Sequence, residues 1–327
     1  MVLEKNLLRK VDEIYKDIST HPEYSQKLNE KLQKNLFFEA NYQSFIMDSP
    51  ETTHDKRISI PDYSGFVKSE VEKISKWAIE NCHNEINENY IMEIARMYDS
   101  NNICYRNVKA RLKNTNIVVP GPHKIQDEMD KIIFELNYST NHPLEKAILA
   151  HLHLIRVQPF SDGNKRTARM VQNAILKCNG MPPIRIGRAE GSFYKNLLLE
   201  AIKGHDCRVS TTPYFNGLRY GLSIEEKNFY DYLASKELDS LGKIQHDLAL
   251  SRKYKINFNT NEIDLLFRAK KNLQNNIITH RKDAKVRFDK KKKEITVTGD
   301  IDKKTVQIAL KSIKSLNKND YKIEIMI

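Results

Sequence analysis

The sequence predicts a mainly α-helical protein with a small α+β module at its C-terminal end. Three observations carry that prediction. Apolar residues recur at helical spacing over most of the chain, beginning with Leu7, Leu8, Val11, Ile14 and Tyr15. Sustained alternation starts only at Val286 and Phe288, continues at Ile295 and Val297, and ends at Ile323, Ile325 and Ile327. Charge divides at about the same place. Of 327 residues, Ser251 to Ile327 hold 20 Lys and Arg against 9 Asp and Glu, a balance of +11. The first 250 hold the remaining 34 against 33, which is near neutral.

In chain order, Leu3 to Ile18 form the first amphipathic helix, Pro22 interrupts, and a second runs from about Ser25 to Tyr42. Pro50 to Ser64 are polar and read as a loop. Gly65 to Cys82, with Val67, Val71, Ile74 and Ala78 on one stripe, and Asn87 to Tyr98 read as helices. Asn101-Asn102 breaks the pattern. Cys104 to Leu112 and Asn116 to Val119 then read as two short strands. Helices follow at Ile125 to Tyr138, Leu144 to Arg156, Thr167 to Cys178, Gly187 to Lys203 and Thr212 to Leu222. Ser223 to His280 stays helical in pattern, and Lys303 to Leu316 is a last amphipathic helix between strands.

Hydrophobic residues make up 40% of the chain, enough for a sizeable core. No apolar run approaches the roughly 20 residues of a membrane span. The stretch Met1 to Asn6 lacks the apolar core of a secretion signal. Cys82, Cys104, Cys178 and Cys207 lie far apart without a CxxC pair, so they read as buried, reduced thiols of a cytoplasmic protein. Delivery into a host or neighbouring cell by a signal-free route stays open.

One stretch carries chemistry: Val157-Gln158-Pro159-Phe160-Ser161-Asp162-Gly163-Asn164-Lys165-Arg166-Thr167-Ala168-Arg169. Pro143 suits the first turn of the preceding helix, Pro159 ends it, and Gly180 stops the helix that follows. Backbone N–H groups of the loop and of the second helix's start make a site for an anion. Gly163 admits a phosphate close to the backbone, and Asp162 suits a divalent metal on it. Arg166 and Arg169 share a helix face and can clamp further phosphates. A solvated loop with a basic helix start is the bland alternative.

The stretch resembles the signature of the Fic family, His-Pro-Phe-x-Asp/Glu-Gly-Asn-Gly-Arg-x-x-Arg. Pro159, Phe160, Asp162, Gly163, Asn164, Arg166 and Arg169 match it. Gln158 stands in the place of the catalytic His, and Lys165 in the place of a Gly, as in the phosphate-transferring Doc-type members. The likeness continues through Ala174-Ile175-Leu176, Gly180 to Ile184, and Tyr194 with Leu197 and Leu198, covering about Asn35 to Leu222. It implies a Fic-type helical domain with a short β-hairpin flap after Tyr105-Arg106, reaching Val118, which aligns a protein target by strand addition. It implies ATP as substrate, Mg2+ on Asp162, and phosphate contacts from Gly163, Asn164, Lys165, Arg166 and Arg169. Ser44 and Asp48 have the spacing of the family's inhibitory helix, with Asp for the usual Glu; an ordinary capping or surface Asp is the alternative. The expected division is 1–100, an N-terminal helical region with that helix; 101–222, the Fic core; and 223–327, a basic helical and α+β region.

The resemblance implies AMP transfer from ATP to a protein hydroxyl. Gln158 has no useful pKa and cannot act as the general base, so the expected enzyme is impaired. A non-catalytic Fic-fold regulator and a Doc-like phosphotransferase are the alternatives. His151 sits on an apolar stripe and reads as a satisfied core residue. The +11 region and the run Lys290 to Lys293 suggest a polyanion partner, against a plain solvated face.

Overall fold

A computed structural model of the chain describes residues 3–20, 34–44, 61–82, 85–112, 115–211, 221–251, 253–259, 263–275, 285–299, 303–313, 316 and 320–326. It separates into two compact units: Met1–Tyr15 with Glu30–Leu241, and Lys16–Asn29 with Gly242–Ile327. No described helix is long and apolar enough to cross a membrane.

The larger unit is helical and is built around α6, Pro143–Val157. Eleven of its residues are buried, among them Leu144, Ile148, Leu152 and Ile155. A helix apolar on nearly every side must be surrounded. It packs on α7 (Asn164–Cys178), α5 (Ile125–Tyr138) and α8 (Gly191–Thr211). In turn, α3 (Pro61–Glu80) and α4 (Glu88–Tyr98) pack on α7. The start of α6 is fixed by a capping box: His142 Nδ1 accepts from Leu144 N at 3.1 Å, and Glu145 accepts from His142 N at 3.2 Å. Glu145 also accepts from Leu3 N at 2.8 Å, which ties the chain's beginning to α6 just ahead of α1, Lys5–Thr20. Residues 34–44 form α2.

The end of α8 is tied to the start of α9, Ile224–Ser251, by a buried carboxylate. Glu226 is fully buried and accepts from His205 Nδ1 at 3.0 Å, Arg208 Nε at 2.8 Å and Ser223 N at 2.9 Å.

The smaller unit runs β1 (Lys253–Phe258), α10 (Ile263–Leu273), β2 (Lys285–Asp289), β3 (Glu294–Thr298), α11 (Lys303–Lys311) and β4 (Tyr321–Met326). Its antiparallel sheet has the order β2-β3-β1-β4, a split βαβ arrangement. Ile256 lies opposite Ile295 on β3 and Ile323 on β4. Tyr254, Ile256, Phe258, Ile295 and Val297 form a core with Leu266 and Leu273 of α10 and Val306 and Leu310 of α11.

The structure corrects four expectations. The helical reading of Ser223 to His280 is interrupted by β1, where Tyr254, Ile256 and Phe258 alternate and pack on the core, a signal the helical reading passes over. The last helix ends at Lys311 rather than Leu316. The paired strands expected after Cys104 reduce to a single bridge between Arg111 and Val118, with Leu112 N donating to Ile117 O at 3.3 Å. The cysteines are not buried reduced thiols. Cys104 and Cys207 are exposed, and Cys82 pairs with Cys178 in a disulfide across 96 residues. Those two sit just after α3 and at the end of α7, helices that lie side by side, so packing closes a distance that spacing hides. The helix expected from Thr212 lies almost wholly outside the described residues.

Acid stability tests the α8–α9 tie. Burial alone would push the Glu226 carboxyl up, but the His205, Arg208 and Ser223 hydrogen bonds outweigh it and hold it at about 2, against a usual 4.5. A depressed carboxylate contributes stability above the unfolded value and loses it as pH falls toward the folded one. Roughly 3 kcal/mol should therefore disappear between about pH 5 and pH 2. Urea melts should show Glu226→Gln less stable at pH 7, by about 3–5 kcal/mol with Arg208 left unpaired, and less sensitive to acid. Equal losses in both proteins on acidification would exclude Glu226 as the source.

Candidate active site

The loop between α6 and α7 is set by two residues in left-handed conformation. Gln158 caps α6 with φ 49° and ψ 59°, and Gly163 caps α7 with φ 77° and ψ 0°. At Gly163 a Cβ would find room, with Tyr98 Cβ at 3.4 Å, so the backbone angle rather than crowding favours glycine. The chain therefore enters α7 with its first N–H groups turned to one side, the arrangement that receives an anion.

Three side chains hold the loop. Asn164 closes it from within: its Nδ2 donates to Phe160 O at 2.8 Å, and its Oδ1 accepts from Phe160 N at 2.9 Å. The Asn164 side chain is thus a staple that closes the loop. Asn102, fully buried, holds the loop from outside. It donates to Asp162 O at 2.9 Å and to Ala95 O at 3.1 Å, and accepts from Ser161 N at 3.2 Å. Arg106, also buried, gathers carbonyls: Gln158 O at 2.6 Å, Val108 O at 2.7 Å, Pro120 O at 2.6 Å and Val157 O at 3.2 Å. Its own N–H donates to Pro159 O at 2.9 Å. Burial pulls its pKa below the ordinary guanidinium value. Tyr105 lays its ring against Phe160, with centroids 6.0 Å apart. Val118 is exposed.

The candidate catalytic position is occupied by Gln158, whose Nε2 folds back to donate to Ile155 O at 2.8 Å. Arg166 lies 3.3 Å from the Asp162 carboxylate and over the Tyr98 ring at 5.3 Å. Asp162 itself is three-quarters exposed. Arg169 is buried: it donates to Ser44 Oγ at 2.5 Å, to Ser44 O at 3.2 Å and to Tyr194 OH at 3.4 Å. Lys165 is half-buried at the same helix start. Asp48 lies outside the described residues.

Behind Arg169 the donors run in one direction. Gln172 Nε2 donates to Asn173 Oδ1 at 3.2 Å, which turns Gln172 Oε1 toward His151 Nδ1. His151 then carries its proton on Nδ1 and accepts with Nε2 from Tyr194 OH at 2.7 Å. The Tyr194 oxygen is left to accept from Arg169. His151, fully buried, is a satisfied core residue as the sequence predicts, and it presets the clamp. A separate cavity of about 660 Å³ between α5, α6 and α8, reaching Phe134, His153 and His205, includes none of the loop.

Sequence reasoning missed Asn102 as a site residue, treating it only as a break in pattern. It also missed that Arg106 serves the loop as much as the flap.

Residues 73–176 match the sequence model of the Fic/DOC family, so this part of the chain is a Fic/DOC family domain. Among relatives, the protein adenylyltransferase Fic of Nematostella vectensis is 32% identical over 140 residues, 40% of this chain and 31% of that protein. The protein adenylyltransferase Fic of Drosophila melanogaster is 38% identical over 90 residues, 27% of this chain and 18% of that protein. The chain thus spans less than a third of the length of these curated relatives. In fold it is similar to Fic-1 of C. elegans, with TM-score 0.55 and 21% identity over 75% of this chain and 72% of that one. A Fic family protein from Desulfovibrio desulfuricans G20 gives TM-score 0.54 and 15% identity over 82% and 80%.

Arg106→Lys tests the loop's anchor. An ammonium cannot reach four carbonyls at once, and each one left buried and unpaired costs about 1–3 kcal/mol. Urea unfolding should show a loss of roughly 2–4 kcal/mol. An unchanged midpoint would mean that the guanidinium does not hold the loop.

Proposed function

We propose that the chain is a Fic-type protein nucleotidyltransferase that moves AMP from ATP to a protein hydroxyl, slowed by Gln158. The observation that carries this reading is the joint placement of Gly163, Arg166 and buried Arg169 at the start of α7. In this reading the loop's N–H groups take the α- and β-phosphates, and Arg166 and Arg169 neutralise the rest. Asp162, a single exposed carboxylate, fits a Mg2+ that takes one such ligand and completes its shell with phosphate oxygens and water. When bound there, the ion would offset the charge of the leaving pyrophosphate.

Transfer joins the target oxygen to the α-phosphorus, breaks the α–β phosphoanhydride, and releases a proton. The Gln158 amide cannot take that proton. It passes to water or phosphate instead, which typically costs about 10²–10⁴ in rate. The segment from Tyr105-Arg106 to Val118 aligns the target, exposed Val118 offering an edge to a strand. Residues 1–100 supply the restraint, 101–222 the transfer site and 223–327 a basic region for a polyanion. Lys165 favours a second reading, Doc-like phosphate transfer. A pure regulator would bind nucleotide and transfer nothing.

Mg-ATP should bind the unaltered protein, while labelling of itself or of a lysate stays weak. Gln158→His should raise labelling by about 10²-fold or more. Label at the α position reports AMP transfer, and label at the γ position reports phosphate transfer. Strong labelling by the unaltered protein would overturn the impaired-base reading; failure to bind Mg-ATP would sink the nucleotide site.

The restraint has its own test. Ser44 already engages Arg169, which supports an inhibitory role for the segment that continues to Asp48. Calorimetry should show Asp48→Gly tightening Mg-ATP binding by about tenfold, near 1.4 kcal/mol, and Arg169→Ala weakening it by at least as much. Unchanged affinity in Asp48→Gly would remove the lock.

A further inference from the structure

We infer that the outer edge of the C-terminal sheet, strand β2 with its turn into β3, docks the phosphate backbone of a nucleic acid without reading its sequence. In the order β2-β3-β1-β4, β2 is an edge strand. Its residues alternate: Val286 and Phe288 pack on the core, while Lys285, Arg287 and Asp289 are exposed. Side chains two apart on a strand stand about 7 Å from one another on one face. Lys290, Lys291 and Lys292 extend the row around the turn, and all three are exposed.

The one carboxylate in this row is already engaged. Asp289 accepts from Lys291 N at 3.0 Å and from Lys292 N at 3.1 Å, so it shapes the turn that presents the lysines. Elsewhere on the sheet two ion pairs are formed. Lys255 pairs with Glu294 at 2.8 Å and Lys322 with Glu324 at 3.0 Å. Among the described residues, no ion pair closes on Lys285, Arg287, Lys290, Lys291 or Lys292. Five exposed cations along one edge are left to face solvent, beside an open hollow of about 530 Å³ that includes Arg287 and Thr296.

The form of the patch selects the partner. A line of cations along a strand and its turn matches a linear polyanion. Bases are not stacked here. Among the described side chains, the open-face positions of β1 and β3 are Lys255, Asn257, Glu294, Thr296 and Thr298, while Tyr254, Phe258, Phe288 and Tyr321 belong to the core side. With no ring among the described open-face positions to receive a base, contact there is confined to phosphates and is driven by counterion release; the exposed Phe267 ring stands on the helix side, against Phe288. This surface does not rest on the transferase reading, because binding and labelling are measured separately.

The test uses the full chain and a fluorescent 25-base-pair duplex of mixed sequence, with anisotropy read across a salt series. With five cations engaged, log K should fall against log salt with a slope of about −4 to −5, and a duplex of unrelated sequence should give the same line. The triple variant Lys290→Gln, Lys291→Gln, Lys292→Gln should flatten the slope by nearly 3 units. Its circular dichroism and melting should match those of the parent, since the three side chains are exposed. Arg268→Gln with Lys271→Gln, on exposed positions of α10, removes charge elsewhere and should leave the slope as it was. An unchanged slope in the triple variant overturns the proposal. So does binding to phosphatidylserine vesicles with none to the duplex at low salt.

Discussion

The end of α6 poses the hardest polar problem in the larger unit. A helix leaves its last carbonyls without amide partners, and here Pro159 offers no N–H while Gln158 turns left-handed. In a buried place each unpaired carbonyl costs stability, and the helix terminus carries partial negative charge. Arg106 meets both demands with one group, spreading its donors over Val157 O, Gln158 O, Val108 O and Pro120 O. Everything after Pro159 hangs from that point. Four residues earlier, Asn102 pins Ser161 and Asp162. The anion loop and the base of the flap are therefore one construction, made from the segment between α4 and α5. A change at Arg106 therefore reaches the loop before α7 and the stretch from Val108 to Pro120 together.

Arg169 shows how a buried cation can be aimed. Its guanidinium is fixed on one side by Ser44 of α2 and on another by Tyr194 of α8. Tyr194 can accept from it only because its proton is committed to His151, and His151 is committed by Gln172. A chain of hydrogen bonds running from Gln172 through His151 and Tyr194 to Arg169 leaves little rotational freedom. Such a network holds the Arg169 guanidinium in one orientation.

Much of this was legible in the sequence because it is local. Pro143, Pro159 and Gly180 mark helix limits through steric rules that act within a few residues, and the alternation of Val286, Phe288, Ile295 and Val297 marks β2 and β3. What escaped depends on chain segments meeting in space. Cys82 finds Cys178 only because α3 and α7 lie together. Asn102 looks like a turn residue until its three partners are seen, two of them about sixty positions away. β1 escapes although Tyr254, Ile256 and Phe258 alternate, because its strand partners come 37 or more positions later and helical pattern flanks it on both sides.

The two units hold the same residue types and use them in opposite ways. In the larger one, Arg169 is buried and held by named partners, so its field acts through a low-dielectric setting at short range and salt reaches it weakly. Such a cation can distinguish one phosphate position from another, and it commits to a single geometry. In the smaller one, Lys290, Lys291 and Lys292 stand in water on a turn, where the Debye length at physiological salt is about 8 Å. Cations of that kind cannot fix a ligand atom, but they can add, each releasing counterions from a chain of phosphates. Burial, rather than residue identity, separates a cation fixed in one geometry from cations that act together as an exposed field.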